Sequence, residues 1–69
     1  MNNSFSERLK ELRTAKGLTG EELGKAIGVS GATVSFWENR KSDIKSENLK
    51  KLAEFFGESI EFLLGIKDY

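Results

Sequence analysis

Catalysis needs a nucleophile, a base or a metal, and the 69-residue chain contains neither cysteine nor histidine. Thiol and imidazole nucleophiles, disulfide staples and finger-type zinc sites are thereby excluded. Carboxylates, lysines and hydroxyls remain, but no pair of them sits in a context that would tune a pKa for acid–base work. Glu21 and Glu22 are adjacent in a helical stretch and point apart. No catalytic residue, metal ligand or cofactor site is assigned. Cations recur instead. Residues 8–16 hold four basic groups and one acid, and residues 40–51 hold Arg40, Lys41, Lys45, Lys50 and Lys51 against Asp43 and Glu47. The balance reverses after them, where Glu54, Glu58, Glu61 and Asp68 face only Lys67. A formal net charge of zero therefore covers a chain whose ends differ in sign. The zero sum argues against a polyanionic partner, since phosphate neutralisation supplies much of such affinity; the uneven distribution argues for one.

Short helices must position these groups. Residues 20–39, GEELGKAIGVSGATVSFWEN, read as two helices meeting at Gly28. Thr19 and Glu22 form a capping box, each side chain accepting from the other's backbone N–H, and Leu18 and Leu23 have the spacing of a hydrophobic staple. Leu23, Ala26 and Ile27 make a buried stripe, leaving Glu21, Glu22 and Lys25 exposed. Gly28 takes positive φ without a Cβ clash and ends the helix, and Val29 turns back to the core. Ser30 caps the second helix, about residues 31–38, which buries Val34 and Trp37 and turns Gly31, Ala32, Ser35 and Phe36 outward. Gly24 supplies the minimal volume needed where two helices cross close to a short turn.

The flanks continue the pattern. Ser4 and Glu7 form a second capping box for a helix that buries Phe5, Leu9 and Leu12, exposes Arg8, Lys10 and Glu11, and closes at Gly17. A polar connection runs from Glu38 to Asp43, and Ile44 plugs the core. Ser46 is expected to cap a fourth helix with Leu49, Leu52, Ala53 and Phe56 inward and Gly57 as its stop. Ser59 starts a last one, with Ile60, Leu63 and Leu64 inward and Gly65 at its end. With no proline and no alternating runs, one all-α domain of five helices over residues 1–69 is expected, its first three residues frayed. No apolar run has the length of a membrane span and the N-terminus lacks a signal-peptide core, so a cytoplasmic location is expected.

In residues 20–39 the chain resembles the helix-turn-helix of the lambda-repressor-like (Cro/repressor-type, XRE) DNA-binding family: apolar residues at Leu23, Ile27, Val29, Val34 and Trp37 and glycines at Gly24 and Gly28 all match. The likeness extends from about Phe5 to Gly65 and includes SENLKKLAEFFG and SIEFLLG. A generic αα-hairpin shares the caps and stripes but not the joint spacing. The resemblance implies a compact five-helix lambda-repressor-like bundle, with the helix-turn-helix at about 20–39. It also implies sequence-specific binding of a double-stranded DNA operator by a bacterial or phage transcriptional regulator, a repressor. Helix 31–38 would enter the major groove, bringing Ser30, Gly31, Ala32, Thr33, Ser35 and Phe36 to base edges. Phosphates would be held by the helix N-termini at Gly20 and Gly31 and by Asn39, Arg40, Lys41, Lys45 and Lys50. An ion pair between Arg13 and Glu38 would fix the angle of the first helix to the end of the second helix of the motif.

Three departures from the family qualify the picture. Glycine usually stands at Arg40, so a shifted helix end, with Asn39 in the left-handed conformation, is expected. Glu58 replaces an apolar residue. Long polar side chains that relatives carry at Gly20, Gly31 and Phe36 are missing. That absence leaves three readings open: apolar contact of Ala32, Thr33 and Phe36 with thymine methyls, a larger share for DNA shape, or a surface turned to a protein partner through Phe36. The last is the alternative function, an antitoxin-like or anti-repressor interaction module. Such binders usually act as homodimers, for which Phe55, Phe62, Ile66 and Tyr69 are the candidate interface; core extension explains the aromatics equally well. No small-molecule pocket is expected.

Overall fold

The computed structural model describes residues 4–67. Five helices follow in order: α1 (Phe5–Ala15), α2 (Gly20–Ile27), α3 (Gly31–Glu38), α4 (Ser46–Phe56) and α5 (Ile60–Leu63). The helix starts are where side-chain oxygens can satisfy otherwise orphaned N–H groups. Glu7 accepts from the Ser4 N–H at 3.0 Å, and Ser4 Oγ accepts from the Glu7 N–H at 3.4 Å. The corresponding distances at Thr19 and Glu22 are 2.8 and 3.1 Å. Ser30 caps α3 and Ser59 caps α5.

The apolar faces meet in one core of Leu9, Leu23, Ile27, Val34, Trp37, Leu49, Leu52, Ala53 and Leu63. Phe5, Leu12, Leu18, Val29, Ile44, Phe55, Phe56 and Ile60 pack around it half-buried. The most extensive helix contact is between α2 and α3, while α1 lies on α3 and α5 and α4 lies on α2 and α5. The α2–α3 pair is thus backed by α1 on α3 and by α4 on α2, with α5 joining α1 to α4.

Four expectations are corrected. Ser46 is not the cap of α4: the Lys45 carbonyl already accepts from the N–H groups of Asn48 and Leu49, both at 3.0 Å, so the helix begins one residue earlier and Lys45 occupies a cap position with no side-chain bond. Ala26 is exposed, because Leu23 and Ile27, one turn apart, fill the core face and leave Ala26 on the flank toward Lys51 and Phe55. Leu64 is exposed because α5 stops at Leu63, which takes the core site. Arg8 is buried: its guanidinium carbon lies 4.2 Å from the centre of the Phe62 ring, where α5 folds back over α1.

Candidate nucleic-acid interface

The geometry of the corner rests on two glycines. Gly28 sits at φ 87°, and the N–H groups of Gly28 and Val29 both bond the Gly24 carbonyl at 2.8 Å. This folds the turn directly onto Gly24. A Cβ at that residue would lie 2.5 Å from the Val29 carbonyl oxygen and 2.9 Å from that of Ser30. Both obstacles are backbone, so no side chain fits there while the corner keeps its shape.

At the start of α3, Ser30 Oγ accepts from the Thr33 N–H at 3.1 Å and shares a 2.9 Å hydrogen bond with Thr33 Oγ1. The two hydroxyls satisfy each other, and Thr33 is half-buried. Gly31 does not turn outward as the helical phase suggested. A Cβ on it would meet Glu21 Cγ at 2.8 Å and Glu21 Cα at 3.1 Å, so α3 begins pressed against the first turn of α2. Gly20 opposite has only ordinary contacts, at 3.8 Å, to the Gly31 carbonyl and Val34. The outward face of α3 therefore consists of Ala32, Ser35 and Phe36, with Phe36 48% exposed. At the far end, the Asn39 amide donates to the Ser35 carbonyl at 2.8 Å and to Ser35 Oγ at 3.2 Å, folding back over the helix it follows.

From behind, α1 holds the last turn of α3. Arg13 Nε and Nη2 donate to the two oxygens of Glu38 at 2.7 and 3.1 Å, and Nη1 donates to the Leu18 carbonyl at 2.7 Å. The Glu38 hydrogen bonds push the Arg13 pKa above its ordinary value. Ser6 Oγ adds a 2.6 Å hydrogen bond to the Trp37 carbonyl. Sequence reasoning missed this bond, since a serine in a helix interior gives no sign of its partner.

The cations lie beyond α3. Lys41, Lys45 and Lys50 are exposed. Arg40 takes the left-handed conformation itself, at φ 59°, whereas Asn39 is at φ −101°; the expected exchange of roles is corrected. The backbone explains it. The Lys41 N–H reaches the Phe36 carbonyl at 2.8 Å, and the six-residue closure requires a left-handed residue between them, as it does at glycine-ended helices. Arg40 Nη2 then donates to Ser4 Oγ at 2.9 Å and lies 3.7 Å from Glu7 Oε1. The Ser4 backbone N–H, the Ser4 hydroxyl and the Arg40 charge together hold the Glu7 carboxyl below its usual range, against a smaller opposing effect of desolvation.

At the other end of the bundle, Phe55 packs edge-on against Phe56 with ring centres 5.1 Å apart and lies under the Lys16 ammonium at 5.3 Å. Phe62 lies under Arg8. Both rings have partners within the chain, so the exposed apolar groups there are Leu64 and Ile66, of which Leu64 was not anticipated. Tyr69 lies outside the described residues. Concavities are shallow and open. One borders Ser4, Phe5, Trp37, Arg40 and Ile44, and another borders the starts of α2 and α3.

A helix-turn-helix family model (HTH_3) matches residues 9–63. The transcriptional activator BcrR of Enterococcus faecalis is 42% identical over 60 residues, covering 87% of this chain. The chain spans 29% of the length of that relative. Among solved structures, the P22 c2 repressor in complex with a synthetic operator superposes with a TM-score of 0.85 at 31% identity, over 90% of this chain and 94% of that one. The hydroxypropylphosphonic acid epoxidase of S. wedmorenis also contains such a bundle, with a TM-score of 0.76 and 30% identity, but the match covers 32% of that enzyme.

Proposed function

The chain belongs to the helix-turn-helix family of lambda-repressor-like domains, and from that premise we propose that it binds a double-stranded DNA operator sequence-specifically as a transcriptional repressor. The observation that carries this reading is the outward face of α3. Its exposed side chains are Ala32, Ser35 and Phe36, the exposed Lys41, Lys45 and Lys50 follow it along the chain, and α1 fixes its rear by the Arg13 fork and the Ser6 bond. A helix so held enters the major groove as a rigid body.

In the groove, Ala32 and Phe36 contact thymine methyls, Ser35 hydrogen-bonds a base edge, and the capped turn of Ser30, Gly31 and Thr33 brings backbone close to the bases. Phosphates are taken by the first turn of α2 at Gly20, by Asn39 and by Lys41, Lys45 and Lys50. Arg40 joins them by exchanging its exposed Ser4 and Glu7 contacts for a phosphate, a cheap exchange because such surface pairs hold weakly. Two copies bind a two-fold operator with their α3 helices about 34 Å apart. Leu64 and Ile66 offer an exposed apolar surface for that pairing. The site of action is the cytoplasm. A protein-docking role for Phe36 is the weaker reading, since family membership lends it no support.

Selection of bound fragments from a random duplex library tests the proposal. A symmetric motif is expected, with thymines in each half-site. Phe36→Ala should relax the thymine preference, while Lys41→Ala should weaken all duplexes alike. Failure to enrich any motif would overturn the proposal.

A further inference from the structure

We infer that Glu21, on α2, is a specificity-determining residue that reads cytosine in the major groove beside the tip of α3. The inference rests on the DNA-binding reading above and deepens it. Gly31 gives α3 no side chain at its first position, and the Glu21 stem occupies the space so vacated: its Cγ lies 2.8 Å from where a residue-31 Cβ would be. Glu21 is exposed and borders the open hollow formed by Thr19, Lys25, Val29 and Ser30 at the starts of both helices. Its neighbour Glu22 is committed to the Thr19 backbone N–H at 2.8 Å, whereas Glu21 makes no such bond among the described residues. Its carboxylate oxygens are two bonds beyond Cγ, which puts the first α3 turn within reach of the side chain. It is the carboxylate there with no hydrogen bond among the described residues, since Glu22 is held by Thr19, Ser30 and Thr33 bind each other, Lys25 only donates and Ala32 is apolar.

A carboxylate only accepts hydrogen bonds, and the groove edges of the four bases answer it differently. Guanine shows two acceptors and thymine an acceptor and a methyl group; both repel it. Adenine offers an amino group beside the N7 acceptor. Cytosine offers its N4 amino group with an acceptor, the guanine O6 of its pair, on one side only, whereas the adenine amino group is flanked on both sides.

The test compares motifs selected from one random duplex library by the unaltered chain, by Glu21→Gln and by Glu21→Ala, with thermal unfolding as the control for folding. The unaltered chain should show one position per half-site where cytosine is preferred about tenfold. Glu21→Gln should move that preference to adenine, whose donor and acceptor pair suits an amide, and Glu21→Ala should erase it, the other positions being unchanged. Identical motifs from all three chains, or a uniform rise in affinity for every duplex in both variants, would overturn the inference and leave the DNA-binding reading standing. No motif from the unaltered chain would instead sink that reading.

Discussion

A bare α-carbon at residue 24 is what lets the chain turn its corner, and the neighbouring glycine at residue 20 shows the contrast. Adding a methyl group to Gly24 drives it into two backbone carbonyls at 2.5 and 2.9 Å, neither of which is a flexible side-chain end. Gly24→Ala is expected to cost about 2–3 kcal/mol and to lower the melting temperature by on the order of 10 °C. Gly20→Ala meets nothing closer than 3.8 Å and should leave the melting temperature unchanged or raise it slightly, by up to about 0.5 kcal/mol of helix propensity. Calorimetry on the pair separates the two. Glu7 gives a prediction in pH. Its folded-state pKa is depressed, chiefly by the Ser4 backbone N–H, so its stabilising contribution is present above the ordinary carboxylate range and is lost as pH falls through the lowered value. Carboxyl NMR titration should find Glu7 below a normal glutamate, and Ser4→Ala, which keeps the backbone N–H and removes only the hydroxyl, should move it up part of the way. Gly24, Gly28 and both capping boxes were legible in the sequence, because each is a local rule tied to neighbours no more than about six residues away. Gly31 was misread for the converse reason: its constraint comes from Glu21, which is on another helix, and helical phase alone turned it outward.

The elements were legible wherever periodicity and stops agreed, and blurred wherever a tertiary contact decided. The four positive-φ glycines at residues 17, 28, 57 and 65 mark helix ends that glycine punctuation announced. The end of α3 lacks a glycine, so the left-handed Arg40 was assigned to the wrong residue until the Phe36 carbonyl revealed the closure. Arg8 shows the same limit, since a charge on a helix reads as exposed until another helix covers it. How α1 grips α3 yields the prediction at this scale. The side chains of Arg13 and Glu38 are only 17% and 9% exposed, and removing either leaves the other partly buried without its partner. Arg13→Ala should cost about 2 kcal/mol, more than Glu38→Gln, because it also strips the Leu18 carbonyl of its donor. The double variant should cost less than the sum of the singles, measured as a denaturant-midpoint cycle.

For the whole molecule, a net charge of zero means that approach to a polyanion depends on which end leads. The cationic stretch from Arg40 to Lys51 favours docking, and the acidic stretch from Glu54 to Glu61 opposes it. If each copy sets Arg40, Lys41, Lys45 and Lys50 on phosphates, a bound pair neutralises about eight of them, and the logarithm of affinity should fall with the logarithm of salt at a slope of roughly −7. A titration across salt that finds no dependence would rule this arrangement out. One buried side chain makes such measurements convenient. Trp37 is the sole tryptophan of the chain, is 3% exposed, and sits on α3 itself. Its indole is therefore a built-in optical gauge of that helix alone: emission is blue while α3 is seated and shifts to the red when it leaves, with no dye attached and no competing fluorophore of its kind.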